Sequence, residues 1–86
     1  MEASKTLSLA IGMRVKFFRS KMGMSQDDFG SYVGADRTYI NKIENGTCNL
    51  TIYKLCSVCE KIGITLHEFF NDQSFREKLF IKMEED

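Results

Sequence analysis

The chain has 86 residues, of which 43% are hydrophobic and 28% are charged. This composition is that of one small globular domain, covering residues 1–86, and it excludes a disordered or fibrous chain. The apolar runs are only a few residues long and the N-terminus lacks the pattern of a secretory signal. We therefore expect no membrane partner and a cytoplasmic location.

The formal net charge is +0, but the charges are unevenly distributed along the chain. Residues 1–63 carry 9 Lys and Arg against 6 Asp and Glu, whereas residues 64–86 carry 3 against 6. A basic front half is suited to phosphate, but any solvated surface has a few surplus charges. Charge alone therefore does not identify the partner.

The three cysteines, Cys48, Cys56 and Cys59, are an odd number and argue against a disulfide framework. Cys56 and Cys59 have the spacing of a metal or redox pair, but a structural zinc site needs four ligands and His67 is the only histidine. We interpret the cysteines as small hydrophobes and predict no metal site and no cofactor.

The spacing of apolar residues predicts an all-α fold. Apolar residues recur every three or four positions, as on one face of a helix, and they do not alternate with polar residues as they would in a strand of a sheet. Proline is absent, so helix ends must be marked by glycine, asparagine and capping residues. A compact core of five helices is predicted over residues 7–70. Its first helix covers residues 7–22, its second begins after Ser25 and its third covers residues 37–45.

The fourth predicted helix lies between Thr51 and Gly63, and the fifth is a short helix that begins at the capping box Thr65-x-x-Glu68. The buried stripe of the fourth helix is predicted to be Ile52, Leu55, Cys59 and Ile62, with Val58 alongside. A second capping box, Ser74-x-x-Glu77, predicts a C-terminal helix over residues 74–83.

Residues 25–45 have the pattern of a helix-turn-helix unit, in which two helices cross after a tight turn that contains glycine. Gly30 lies within the first of these helices at a cost of about 1 kcal/mol relative to alanine, so it needs a packing reason. Gly34 supplies the left-handed conformation of the turn. The outer face of the second helix is left with Arg37, Thr38, Asn41 and Lys42.

The run from Ile11 to Phe70 resembles the phage-repressor class of helix-turn-helix domains, which are five-helix modules that bind DNA. Within that class, the chain is most similar to the controller proteins of bacterial restriction-modification systems. The resemblance to the class rests on Ile11-Gly12, on residues 21–26, on the helix pair and on Ile43-Glu44-Asn45-Gly46. The resemblance to the controller proteins rests on two strings, Asp36-Arg37-Thr38-Tyr39-Ile40 and Asn49-Leu50-Thr51-Ile52.

The resemblance implies that the third helix enters the major groove, where each base pair presents a distinct pattern of donors and acceptors. It implies base contacts from Arg37, Thr38, Asn41 and Lys42, with Asn41 and Lys42 open to phosphate as well. It also implies phosphate contacts from Ser25, Gln26, Tyr39, Asn45 and Asn49, and a structural ion pair between Arg19 and Glu44.

The partners implied are double-stranded DNA with a pseudo-palindromic operator, a second copy of the chain and RNA polymerase. A neutral monomer binds DNA weakly, and pairing two subunits on one operator recovers affinity. An apolar surplus late in the chain predicts the dimer interface at Leu50, Ile52, Ile64, Leu66, Phe69 and Phe70.

The leading hypothesis is a sequence-specific transcription regulator that controls its own gene and that of an endonuclease. A phage or plasmid repressor and an antitoxin are alternatives in the same class. A helical module that binds a protein and no DNA is an alternative of another class. An enzyme is not expected, because one histidine and these spacings assemble neither a nucleophile–base pair nor a phosphate-cradling loop.

Overall fold

The computed structural model describes residues 2–77, and side chains are described for residues 5–76. This part of the chain is helical and contains no strand, which confirms the predicted all-α fold. The helices are α1 Glu2–Lys21, α2 Gln26–Val33, α3 Arg37–Glu44, α4 Ile52–Ile62, α5 Leu66–Phe70 and α6 Gln73–Glu77. The predicted extension of the last helix over residues 78–83 lies outside the described residues.

Four helices begin at the N-cap residues that the sequence predicts. The side chains of Ser25, Asp36, Thr51 and Thr65 each accept a hydrogen bond from the backbone N–H three residues later. Such a bond satisfies one of the four backbone donors that a helix start leaves unpaired, and it is worth about 1 kcal/mol. At Thr65 the bond is reciprocal, because Glu68 also accepts from the Thr65 backbone N–H.

The start of the last helix differs from the prediction. Ser74 lies inside α6, which begins at Gln73. The Asp72 carboxylate accepts hydrogen bonds from the Ser74 backbone N–H at 3.1 Å and from its hydroxyl at 2.7 Å. These bonds lower the pKa of Asp72, with a smaller contribution from Arg14. An aspartate two residues upstream therefore takes the capping role that the sequence assigned to Ser74.

The core lies where α2, α3, α4 and α5 meet one side of α1. Phe29, Ile40 and Phe69 are its largest fully buried side chains. Val15 of α1 and the α4 residues Leu55, Val58 and Cys59 complete it, together with Val33 and Ile43. Ile52, predicted as part of the buried stripe of α4, is instead 54% exposed, since it lies in the first turn, which extends beyond the core.

Two glycines permit the close crossing of α3 with its neighbours. A Cβ atom at Gly30 would lie 2.7 Å from the carbonyl oxygen of Ala35, so the glycine makes room for the turn between α2 and α3. A Cβ atom at Gly12 would lie 2.2 Å from the carbonyl oxygen of Ile43, so α1 and α3 are in backbone contact there. The position of α3 is thus fixed from two sides.

Candidate nucleic-acid interface

The outer face of α3 begins at the first residue of the helix. Arg37, Thr38 and Asn41 are exposed and together line an open depression on the surface. Lys42 is exposed on the next position of the helix and lies outside that depression. The opposite face carries the buried Ile40 and Ile43, so the same helix is anchored in the core on one side and solvent-accessible on the other.

A bidentate ion pair connects the end of α1 to the end of α3. Arg19 donates from Nε to Glu44 Oε2 at 2.7 Å and from Nη2 to Glu44 Oε1 at 3.0 Å. The two side chains are 14% and 4% exposed. The hydrogen bond to Glu44 raises the pKa of Arg19, so the guanidinium stays charged. Arg19 also donates to the carbonyl oxygen of Met24 at 2.8 Å, which fixes the turn before α2.

Three side-chain amides extend this ion pair across the helix-turn-helix unit. Gln26 Nε2 donates to Glu44 Oε1 at 3.0 Å, and Gln26 Oε1 accepts from Asn41 Nδ2 at 3.3 Å. Asn41 Oδ1 in turn accepts from Asn45 Nδ2 at 3.0 Å. The structure therefore brings together two predicted phosphate contacts, Gln26 and Asn45, and one predicted base contact, Asn41.

The other predicted phosphate contacts are more dispersed. The Ser25 hydroxyl accepts from the Asp28 backbone N–H at 3.0 Å and keeps its own hydrogen to donate. Tyr39 is half-buried, with the Lys54 ammonium 5.7 Å from the centre of its ring. Burial, followed by the neighbouring Cys48 thiol, raises the pKa of Tyr39. Asn49 is exposed on the loop before α4.

The predicted dimer interface divides into buried and exposed members. Phe69 is 0% exposed and belongs to the core, so its assignment to an interface was wrong. Its burial follows from α5 packing its apolar face inward against α1, where the rings of Phe69 and Phe18 stack at 6.0 Å. Leu50, Ile64, Leu66 and Phe70 are half-buried against the core. Ile52 is exposed, and so is its neighbour Tyr53 at 84%, which the sequence analysis did not single out.

A second residue that the sequence analysis missed is Arg14. Its Nε donates to the carbonyl oxygen of Phe69 at 2.6 Å, and its Nη2 donates to the carbonyl oxygens of Glu68 and Asn71 at 2.9 and 3.1 Å. The guanidinium also lies 4.7 Å from the ring centres of both Phe17 and Phe18. Arg14 therefore holds the C-terminal end of α5 against α1. In the sequence, the only sign of this role is that an arginine lies next to the apolar stripe of α1.

Comparison with known proteins assigns the fold to a family. The sequence model of a family described as a helix-turn-helix domain matches residues 12–73. The chain belongs to this helix-turn-helix family.

Relatives of known type extend this assignment. Control protein C.MunI from Mycoplasma sp is 36% identical over 67 residues, which cover 77% of this chain and 90% of that protein. The structure of the restriction-modification controller protein C.Esp1396I has a TM-score of 0.72 at 30% identity, covering 88% of this chain and 96% of that chain. The structure of the controller protein C.AhdI from Aeromonas hydrophila has a TM-score of 0.68 at 25% identity, covering 73% and 91%.

None of the described helices combines the length and the apolar character needed to span a bilayer. Within the same part of the chain, no group of three or more His, Cys, Asp and Glu side chains is placed to hold a metal ion.

Proposed function

We propose that this helix-turn-helix protein is a sequence-specific transcription regulator of the restriction-modification controller type, and that it acts in the cytoplasm. The observation that carries the proposal is the first turn of α3, where Arg37 and Thr38 are exposed at the start of a helix whose other face is buried. C.MunI, C.Esp1396I and C.AhdI, each covered to 90% or more of its length, are named control or controller proteins, which supports the same type of function.

In this proposal α3 lies in the major groove of double-stranded DNA. Arg37 donates two hydrogen bonds to guanine, and Thr38 contacts a base edge or a thymine methyl group. Lys42, further along the same exposed face, contacts a base or a phosphate. Phosphate contacts fix the register of the protein on the duplex without carrying sequence information. They come from Ser25, Gln26, Tyr39, Asn45 and Asn49.

The proposal extends to assembly and regulation. Two copies bind a pseudo-palindromic operator as a dimer, which places two α3 helices about 34 Å apart, one turn of the duplex. The protein then regulates its own gene and the endonuclease gene, activating through contact with RNA polymerase at one site and repressing when a second site fills. These steps rest on the similarity to the controller proteins.

The test is binding of the purified protein to labelled duplexes from the region upstream of its own gene, measured by fluorescence anisotropy. We expect saturable binding that is tighter than to a scrambled duplex and that weakens steeply between about 50 and 200 mM salt. A failure to bind any upstream fragment at low salt would contradict the proposal. It would favour the alternative of a helical module that binds a protein through the outer face of α3.

A further inference from the structure

A directional chain of hydrogen bonds leads from the buried Glu44 carboxylate to the exposed end of α3. We call the side-chain amides of Gln26, Asn41 and Asn45 the amide relay. The Glu44 side chain is 4% exposed, and its Oε1 accepts from both Arg19 and Gln26. Gln26 is the first residue of α2, Asn41 lies in α3 and Asn45 is the residue that caps α3. The relay therefore joins both helices of the unit.

The charge of Glu44 sets the orientation of every amide in the relay. An ionised carboxylate only accepts hydrogen bonds, so Gln26 must direct its NH₂ group at Glu44. The Gln26 carbonyl oxygen is then left to accept from Asn41, at 3.3 Å. The Asn41 carbonyl oxygen is left in turn to accept from Asn45, at 3.0 Å. A flip of any one amide would place two donors or two acceptors face to face.

This order determines what the relay offers to a ligand. Each NH₂ group has two hydrogens and uses one within the relay, so each amide keeps one N–H to donate. The carbonyl oxygens of Gln26 and Asn41 each already accept one hydrogen bond within the relay, which leaves one lone pair on each. Phosphate oxygens only accept, and amide side chains are common donors to them. Reading adenine instead requires an asparagine to turn both its donor and its acceptor toward one base.

We infer that the amide relay positions Gln26, Asn41 and Asn45 as a set of donors for DNA backbone phosphates, and that Asn41 serves this set rather than reading a base. The inference deepens the proposed function and depends on it. Base reading is then left to Arg37 and Thr38 at the start of α3, with Lys42 beside them. Asn41 acts as a positioning residue, because its bonds to Gln26 and Asn45 hold both neighbouring amides in one orientation.

A double-mutant cycle on DNA affinity tests the relay. Gln26→Ala, Asn41→Ala and the double variant are titrated against the operator and against a scrambled duplex. We expect Asn41→Ala to weaken binding to both duplexes about tenfold, because a phosphate contact is lost irrespective of sequence. The double variant should bind DNA about as weakly as the single variant with the lower affinity, because either substitution already breaks the amide relay.

The matched control is Asn49→Ala, which removes a predicted phosphate contact outside the relay. Combined with Gln26→Ala, it should give a loss equal to the product of the two single losses, as independent sites do. Thermal unfolding of every variant, followed by circular dichroism, checks that the domain remains folded. The inference would be overturned if the losses of affinity in Gln26→Ala and Asn41→Ala multiplied in the double variant, or if Asn41→Ala weakened binding to the operator alone. Either result would leave the proposed function standing.

A measurement without DNA separates the relay from its ligand. In the wild-type protein the side-chain NH₂ hydrogens of Asn45 should exchange with water more slowly than those of Asn49. Gln26→Ala should speed exchange at Asn45, although Gln26 makes no hydrogen bond to it, because Asn41 is then free to turn. Unchanged exchange at Asn45 would show that no relay exists. Absence of DNA binding by the wild type would overturn both the relay's role and the proposed function.

Discussion

At the scale of single residues, Arg37 and Lys42 differ in what they are placed to contact. Arg37 is exposed in the first turn of α3, within the depression that also contains Thr38. We expect Arg37→Ala to reduce the preference for operator over scrambled DNA by a factor equivalent to about 1 to 3 kcal/mol, because a bidentate contact to guanine is lost. Competition titrations with single-base operator variants measure this preference, and they should locate the loss at one base pair of each half-site.

Lys42→Ala is the matched comparison, since it removes a cation from the same helix. It should weaken binding to all sequences more evenly and lower the slope of log affinity against log salt by about one. If both variants left the preference among bases unchanged, α3 would not be the reading element.

The cysteines permit a second prediction at the same scale. Cys59 is 2% exposed, and burial, followed by the nearby Cys56, raises the pKa of its thiol to about 11. The thiolate is the reactive form, so at neutral pH Cys59 should resist alkylation while the exposed Cys56 reacts. Mass spectrometry of the native protein after brief iodoacetamide treatment should find the label on Cys56. In denaturant both residues should react at similar rates, and equal rates in the native protein would contradict the burial of Cys59.

The raised pKa of Cys59 also has a consequence for stability. The thiol of the unfolded chain loses its proton near its ordinary value of 9.0, whereas the folded chain holds the proton up to about 11. The stabilisation is therefore complete below the lower value and is lost as the pH rises between the two. The free energy of unfolding in urea should fall as the pH is raised through this range. Cys59→Ala should reduce this decline and leave the part that comes from Tyr39, whose pKa is also raised.

At the scale of the helices, the crossing of α1 and α3 depends on Gly12. An added Cβ atom would lie 2.2 Å from the Ile43 carbonyl oxygen and 2.8 Å from that of Glu44, both of which are backbone atoms. We expect Gly12→Ala to lower the free energy of unfolding by about 3 kcal/mol, because the two helices must separate. The better helix propensity of alanine, about 1 kcal/mol, offsets only part of this loss.

Urea unfolding measures the effect, with Ser20→Ala as the control at an exposed position of the same helix. The control should be at least as stable as the wild type. A Gly12→Ala variant as stable as the wild type would mean that α1 and α3 are not in backbone contact.

The elements that the sequence predicts well are those decided by neighbouring residues. The caps at Ser25, Asp36, Thr51 and Thr65 depend on a side chain and a backbone N–H three residues apart, so the local sequence contains the whole interaction. The outward face of α3 could also be predicted from the sequence, because Ile40 and Ile43 identify the face that points inward.

Features decided by tertiary packing were harder to predict. Phe69 and Ile52 are both apolar and were both predicted as interface residues, yet one is fully buried and the other is 54% exposed. Only the packing of α5 on α1 separates them. Gly12 and Arg14 likewise have their roles through residues more than thirty positions away, at Ile43 and Phe69. The amide relay combines Gln26 with Asn41 across the turn, and no single-helix pattern indicates that pairing.

At the scale of the whole molecule, the proposed dimer needs a surface that the monomer leaves open. Most of the predicted interface residues pack against the core of the same chain, which leaves Ile52, 54% exposed, and Tyr53, 84% exposed, at the start of α4. An aromatic and an aliphatic side chain side by side are suited to the centre of an interface between copies. We therefore predict that the two-fold contact includes the first turn of α4.

Ile52→Asp tests this placement. Burial of an isoleucine side chain is worth about 1.5 to 3 kcal/mol, so the dissociation constant of the dimer should rise at least about tenfold. Sedimentation velocity over the micromolar range measures the shift, and Met13→Asp is the matched control, because Met13 is a 68% exposed apolar residue on α1. The charged variant should also lose affinity for a full palindromic operator while keeping its affinity for a single half-site, since only the coupling between two copies is removed. If the wild type sediments as a monomer throughout this range, or if Met13→Asp disrupts the dimer as strongly as Ile52→Asp, the interface does not lie at the start of α4.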